Sequence, residues 1–300
     1  MTKLLLLLAA AAFSAADDGV VQYKDRAIDV KAYIEGFPYK SFYFEPGAKK
    51  VYFLKRGDQE YLYEADFSPE KPVDFKTARK LSDIDFTKRN FWGLAAGPDG
   101  RVYIKGDEDN TEIINLYELK DGAMAKLTSE GYVYAWEFSP DGKQVAFIAR
   151  SGNAEFTPGS VGLLDLATGK VRKLYDDSKA LRMTWTHVSW APDGSALALG
   201  VVCNEDRTHQ DLLLVRTDGG AVKSLLDCKT KRGIEPTWEW LDDDNILYGS
   251  DELGNLAIFR YQLSSGKTVR LTDPKWNLIT AQLLDSGKTR RLVALERKPI

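Results

Sequence analysis

One turn, written six times along the chain, constrains this sequence more than any other feature. It reads Gly97-Pro98-Asp99-Gly100, Phe138-Ser139-Pro140-Asp141-Gly142 and Trp190-Ala191-Pro192-Asp193-Gly194, with a variant at Phe44-Glu45-Pro46-Gly47. Degenerate copies follow at Trp240-Leu241-Asp242-Asp243-Asp244 and Leu284-Asp285-Ser286-Gly287. Pro sets φ near −65°, Asp bonds the local backbone, and Gly accepts the positive φ that reconnects antiparallel strands. The copies recur at steps of about 42 to 52 residues, the amount of chain that four short strands and their turns consume.

Strand patterns flank each turn. Before it, Trp136 and Phe138 alternate with polar neighbours, as do Trp238 and Trp240. After it come short apolar runs, Val51–Leu54, Val102–Ile104, Val145–Ile148, Leu197–Leu199, Ile246–Tyr248 and Leu292–Leu295, read as strands buried on both faces. A third strand follows in five units: Tyr61–Tyr63, Leu116–Leu119, Gly162–Leu166, Leu212–Val215 and Ala257–Tyr261. Second hairpin turns at Ala167–Lys170, Thr217–Gly220 and Ser264–Lys267 lead to more polar fourth strands at Val171–Leu174, Val222–Leu225 and Val269–Thr272. A polar outermost strand protects a free sheet edge.

Four-stranded antiparallel units that repeat with apolar faces bury those faces by stacking radially. The expectation is an all-β fold, a β-propeller of four-stranded antiparallel blades. About six blades are visible, and the last is incomplete at Lys298-Pro299-Ile300. Residues 39–300 form the propeller, truncated at its C-terminal side. Residues 17–38 precede it, and Ala27–Ile34 could donate a closing strand. Residues 1–16 read as a cleavable export signal: Lys3, the apolar run Leu4–Ala12, then Ser14-Ala15-Ala16 before Asp17-Asp18. That run falls short of the roughly 20 residues of a membrane span. The mature chain is therefore expected outside the cytoplasm, periplasmic or secreted, with no membrane span.

Charge and cysteine usage narrow the partners. A formal net charge of −3 with both signs interspersed offers no polyanion-binding face, so nucleic acid is not expected. Cys203 and Cys228 are the two cysteines, and export would place them where disulfides persist. The first ends a second strand and the second follows a fourth strand, with a third strand between them. Strands two apart lie roughly 9.5 Å from each other, so only loop curvature could bring the pair to bonding distance. A bridge and two separate thiols both stay open.

The Pro-Asp-Gly turn before an apolar strand, with Gly266-Lys267 leading to Leu271-Thr272, resembles the repeats of TolB-like propellers. It also resembles the N-terminal propeller of prolyl oligopeptidase family serine peptidases, as does Asp251–Asn255 leading into Ile258–Tyr261. The resemblance covers most of residues 39–300 and implies one of two activities. One is a propeller that gates peptide substrates beside an α/β-hydrolase domain lying beyond Ile300. The other is a stand-alone propeller that binds a protein partner. A propeller enzyme acting on sugars or lactones is a third reading, but it needs convergent carboxylates that the pattern does not display.

The residues themselves supply no complete catalytic set. No Gly-x-Ser-x-Gly elbow occurs. His187 falls on an inner strand, and His209 falls in a polar loop over Asn204–Gln210. The acidic run Gly106–Asn110 lacks the terminal bidentate Glu of a calcium loop and reads as a solvated hairpin. Asp242-Asp243-Asp244 replaces the turn sequence. The adjacent glutamates with which the dipeptidyl peptidase IV type holds a substrate amine have no counterpart, since no Glu-Glu pair occurs. No catalytic, cofactor or metal residue is assigned. Trp136, Trp190, Trp238 and Trp240 are expected to pack between blades. Trp92, Trp185 and Trp276 are less constrained, and one of them could line a binding face.

Overall fold

The computed structural model describes residues 20–23, 26–29, 38–44, 49–68, 73–97, 100–108, 111, 113–129, 131–152, 157–203, 209–228, 230–231, 238–250, 256–273, 278–285 and 290–296. Residues 1–16, expected to act as an export signal, together with Pro98-Asp99, Asp251–Asn255, Trp276 and Lys298–Ile300, lie outside them. The chain divides into two compact units, residues 1–87 and 88–300. It is an all-β fold of the propeller class, with five four-stranded antiparallel meanders among the described residues.

In the first unit, β1 (Val20–Tyr23) and β2 (Arg26–Asp29) form a hairpin of their own. The segment suggested as a closing strand overlaps β2 through Asp29, and its remainder lies outside the described residues. The first four-stranded sheet follows: β3 (Tyr39–Phe44), β4 (Lys50–Lys55), β5 (Tyr61–Asp66) and β6 (Arg79–Lys80). Its core is Val51, Phe53 and Ala65, over which Val73, Phe75 and Ala78 of the long β5–β6 connection fold back. Glu64, almost fully buried on β5, takes Lys50 at 2.7 Å and Arg79 as partners. Burial pushes its carboxyl up, but the two cations outweigh it and hold the group below the ordinary range.

The second unit begins with β7 (Asn90–Ala96), β8 (Val102–Asp107), β9 (Asn115–Lys120) and β10 (Ala123–Lys126). The third sheet is β11 (Tyr132–Phe138), β12 (Gln144–Arg150), β13 (Gly159–Asp165) and β14 (Val171–Asp176). The fourth is β15 (Leu181–Trp190), β16 (Ala196–Cys203), β17 (His209–Arg216) and β18 (Val222–Ser224), and β19 (Thr230–Lys231) also pairs with β17. The fifth is β20 (Trp238–Asp242), β21 (Asn245–Ser250), β22 (Ala257–Gln262) and β23 (Lys267–Arg270). The pair β24 (Leu278–Asp285) and β25 (Arg290–Glu296) ends the described chain. No helix among the described residues is long and apolar enough to cross a membrane.

The expected turn chemistry is visible where the turn is described. At Ser139–Gly142, Gly142 has φ +69° and its N–H bonds the Ser139 carbonyl at 2.8 Å. The Asp141 carboxylate accepts from the Ser139 hydroxyl at 2.7 Å and the Lys143 N–H at 3.1 Å. Asp193 repeats this role on Ser195 N–H at 2.8 Å. The triple-aspartate copy works differently. Asp242 caps Asp244 N–H at 2.9 Å, while Asp244 reaches to the second hairpin and accepts from Ser264 N–H at 2.7 Å and Gln262 at 2.9 Å.

Cores form between consecutive sheets. Ala135, Ala146, Ile148 and Leu163 pack on Met183, Trp190, Leu197, Leu199 and Leu213, joining the third sheet to the fourth. Ala196, Ala198 and Leu212 pack on Trp238, Trp240, Tyr248 and Phe259, joining the fourth to the fifth. Each fully buried large side chain stabilises the stack by about 1.5–3 kcal/mol. This stacking seats the first strands β11, β15 and β20 side by side.

Candidate functional site on the inner strands

First strands carry a feature that alternation alone does not foretell. The ladders of β7, β11, β15 and β24 slip by a bulge in the half away from the turn, between Phe91 and Gly93, Val133 and Ala135, Met183 and Val188, and Leu278 and Thr280, whereas that of β20 slips at the turn end, between Trp240 and Asp242. A bulge leaves backbone groups out of the ladder, and buried carbonyls require donors. For β11 and β15 the second strand of the preceding sheet supplies one. Lys105 on β8 donates to the Tyr134 carbonyl at 2.6 Å, and Arg150 on β12 donates to the Met183 carbonyl at 3.2 Å. Arg150 is 1% exposed and lies over the Tyr134 ring at 5.5 Å. Burial pulls the Lys105 ammonium below its ordinary range.

Toward the turn end, Glu137, Ser189 and Glu239 occupy equivalent positions, each one residue before the aromatic that opens its turn sequence. The Glu137 carboxylate accepts from Trp190 N–H at 3.0 Å, and the Trp190 indole donates to the Glu137 carbonyl at 3.0 Å. Burial raises the Glu137 carboxyl to about 7, the Trp190 N–H opposes the rise, and the charge of Glu239 adds to it. Titration near neutrality is a property that general acids use. Here the carboxylate oxygen is engaged in holding two sheets together, and that bond accounts for the group.

His187 lies within the β15 bulge. Its ring is 5.5 Å from the Trp238 ring, and burial depresses its pKa although a bond to the Trp238 backbone opposes this. It serves the blade junction. His209 is not in a loop as expected: it opens β17, opposite Lys231 of β19. Strand β17 starts earlier because β19 returns to pair with its first two residues. Of the acidic run 106–110, Asp107 is buried and accepts from Thr111, Glu108 lies 3.8 Å from Arg89, and Asp109-Asn110 fall outside the described residues. Trp92 is 47% exposed.

Cys203 and Cys228 are bonded in the structure, with Cα atoms 6.1 Å apart. The curvature comes from Asp211 on β17, which is 1% exposed. Its carboxylate accepts from Ser224 Oγ at 2.5 Å, Leu226 N–H at 2.8 Å and Cys228 N–H at 3.3 Å. With Asp227 and Cys228 both at positive φ, the chain after β18 turns back over β17.

Lys105, Glu137, Arg150 and Glu239 escaped the reading of the sequence. A signal was present: Trp136-Glu137-Phe138 and Trp238-Glu239-Trp240 each put a charge inside a strand with large apolar neighbours. Among the described residues, no three His, Cys, Asp or Glu side chains converge as metal ligands would.

No family model matches the sequence, and no curated protein sequence does. Solved structures do. The chain is similar to TolB from Acinetobacter baumannii at 16% identity and a TM-score of 0.50, over 79% of this chain and 55% of that one. It is similar to Porphyromonas gingivalis dipeptidyl peptidase 4 at 11% identity and 0.56, over 86% of this chain and 44% of that one. Pyrococcus horikoshii acylaminoacyl peptidase gives 14% and 0.56, over 86% and 42%. The likeness is one of fold. This chain spans about half the length of these proteins.

Proposed function

We propose that this chain is the non-catalytic, substrate-gating propeller of an exported prolyl-oligopeptidase-like serine peptidase, with hydrolysis carried out by a domain beyond Ile300. The observation that carries the reading is the extent of the match to the two peptidases. It runs through 86% of this chain and 42–44% of theirs. The inner strands suit gating because they are rigid. Indole–carbonyl and cation–carbonyl bonds tie β11, β15 and β20 to their neighbours, so a peptide passing them meets fixed rather than mobile groups.

The second reading, a stand-alone binding propeller, is favoured by the similarity to TolB over 79% of this chain. Reading the encoding DNA past the codon for Ile300 separates the two. A frame that continues into a Gly-x-Ser-x-Gly region with later Asp and His supports the peptidase. A stop codon there, or after one further blade, sinks it and leaves the binding propeller.

A further inference from the structure

The first unit contains a cleft that the gating reading does not use. It measures about 480 Å³ and is lined by Tyr39, Lys55, Tyr63, Phe75, Lys76 and Ala78, a size in the range of small-ligand sites. Tyr39 and Phe75 stack with centroids 4.1 Å apart and planes 12° from parallel. Phe53 meets both edge-on at 5.2 Å. The Phe75–Thr77 turn is fixed by Asp74, whose carboxylate accepts from Lys76 N–H at 3.0 Å and whose carbonyl takes Thr77 Oγ1 at 2.8 Å. The aromatic wall is therefore pre-formed.

Charge points the same way. In this unit Lys40 pairs with Glu60, Lys50 and Arg79 with Glu64, and Lys80 with Asp83. Among the described residues, no carboxylate pairs with the ammonium of Lys55 or of Lys76. Both line the cleft, and Lys55 instead sits over the Tyr63 ring at 5.6 Å. Beside them the β3 ladder slips between Lys40 and Tyr43, Ser41 takes φ +56°, and Phe42 is left 40% exposed against Phe53 and Phe75. A non-glycine residue at positive φ is strain that a fold retains where the geometry is used.

We infer that this cleft binds the C-terminal aromatic residue of a peptide, its ring against Tyr39 and Phe75 and its free carboxylate between Lys55 and Lys76. Phe42 extends the apolar surface beyond the cleft and gives the preceding residue a landing. The inference goes beyond the gating function and does not depend on it, since every residue it uses belongs to the first unit.

Calorimetry on the full chain tests it with three probes: N-acetyl-phenylalanine, its amide, and a hexapeptide ending in phenylalanine. The acid and the hexapeptide should saturate the protein, and the amide should bind roughly tenfold more weakly, as expected when a charged hydrogen bond is lost. Lys55→Met and Lys76→Met should each weaken the acid by about the same factor. Four results would overturn the inference: no saturation by the acid, equal binding of acid and amide, indifference to both lysine substitutions, or binding of the free acid without the hexapeptide. The acid–amide comparison uses unaltered protein, so it decides even if a variant misfolds.

Discussion

The junction between the third and fourth sheets and the junction between the fourth and fifth are built on one plan with one difference. In the first, the Trp190 indole donates to the Glu137 carbonyl at 3.0 Å. In the second, the Trp240 indole donates to the Ser189 carbonyl at 3.2 Å. Donor and acceptor occupy the same repeat positions, so the indole latch is a property of the repeat. The side chain on the accepting residue is not. Glu137 adds a carboxylate that grips Trp190 N–H, whereas Ser189 is a small, buried hydroxyl. One latch therefore contains a group that titrates near pH 7, and the other is neutral at every pH of interest.

The largest test of the shared plan is to remove the indole altogether. Trp190→Ala and Trp240→Ala should each lower unfolding free energy by about 3–5 kcal/mol, measured by urea denaturation. Similar losses are expected because both side chains are 6% exposed in equivalent cores. A loss below 1 kcal/mol at either site would show that its junction is not a packed core.

Next in size is the effect that should separate the junctions. The Glu137 carboxyl titrates at about 7 when folded and near 4.5 when unfolded. Between those values the folded state holds the extra proton, so stability contributed by this group falls as pH rises from about 4.5 to 7. The span corresponds to something on the order of 3 kcal/mol. Glu137→Gln keeps an acceptor for Trp190 N–H and removes the charge. It should flatten that part of the pH profile and raise stability above pH 7. An unchanged slope in Glu137→Gln would place the titration elsewhere.

How much of this was legible beforehand depended on what each residue does. The Pro-Asp-Gly turns and apolar second strands carry their meaning locally, so blade architecture and the packing role of Trp190 and Trp240 could be read from pattern alone. The latches join residues about fifty positions apart, and no local pattern states which carbonyl an indole will find. The first-strand bulges were invisible for a related reason, because a slip in register is set by the partner strand. Glu137 broke the apolar rhythm of its strand and could have been flagged. The Cys203–Cys228 contact hinged on Asp211, whose role as a turn anchor appears only once β18 and β19 flank β17. The aromatic cleft of the first unit depends on a connection folding back over its own sheet.

A finer comparison isolates the indole hydrogen bond. Trp190→Phe and Trp240→Phe preserve most of the apolar contact and remove the donor, leaving a carbonyl without its indole partner. Each should cost about 1–2 kcal/mol relative to the unaltered protein. If the plan is common, the two losses agree. If the carboxylate of Glu137 also holds Trp190 in place, Trp190→Phe costs less, because the backbone N–H bond to Glu137 survives the change.

The smallest effect has the opposite sign to that of Glu137. Burial depresses His187 below its ordinary value of 6.5, so below pH 6.5 the unfolded chain takes up more protons than the folded one. Stability contributed by this group is therefore full above 6.5 and lost as pH falls through the window beneath it. His187 abuts Trp238 at the junction of the fourth and fifth sheets, and Glu137 belongs to the junction before it. Acidification should thus favour one junction while it weakens the next. Hydrogen exchange at Trp190 and Trp240, followed from pH 7.5 to 5.5, reads the two separately. Protection should rise at Trp190 and fall at Trp240, and His187→Gln should abolish only the second change. A parallel response at both sites would mean that the sheets open as a single unit and that the junctions are not independent.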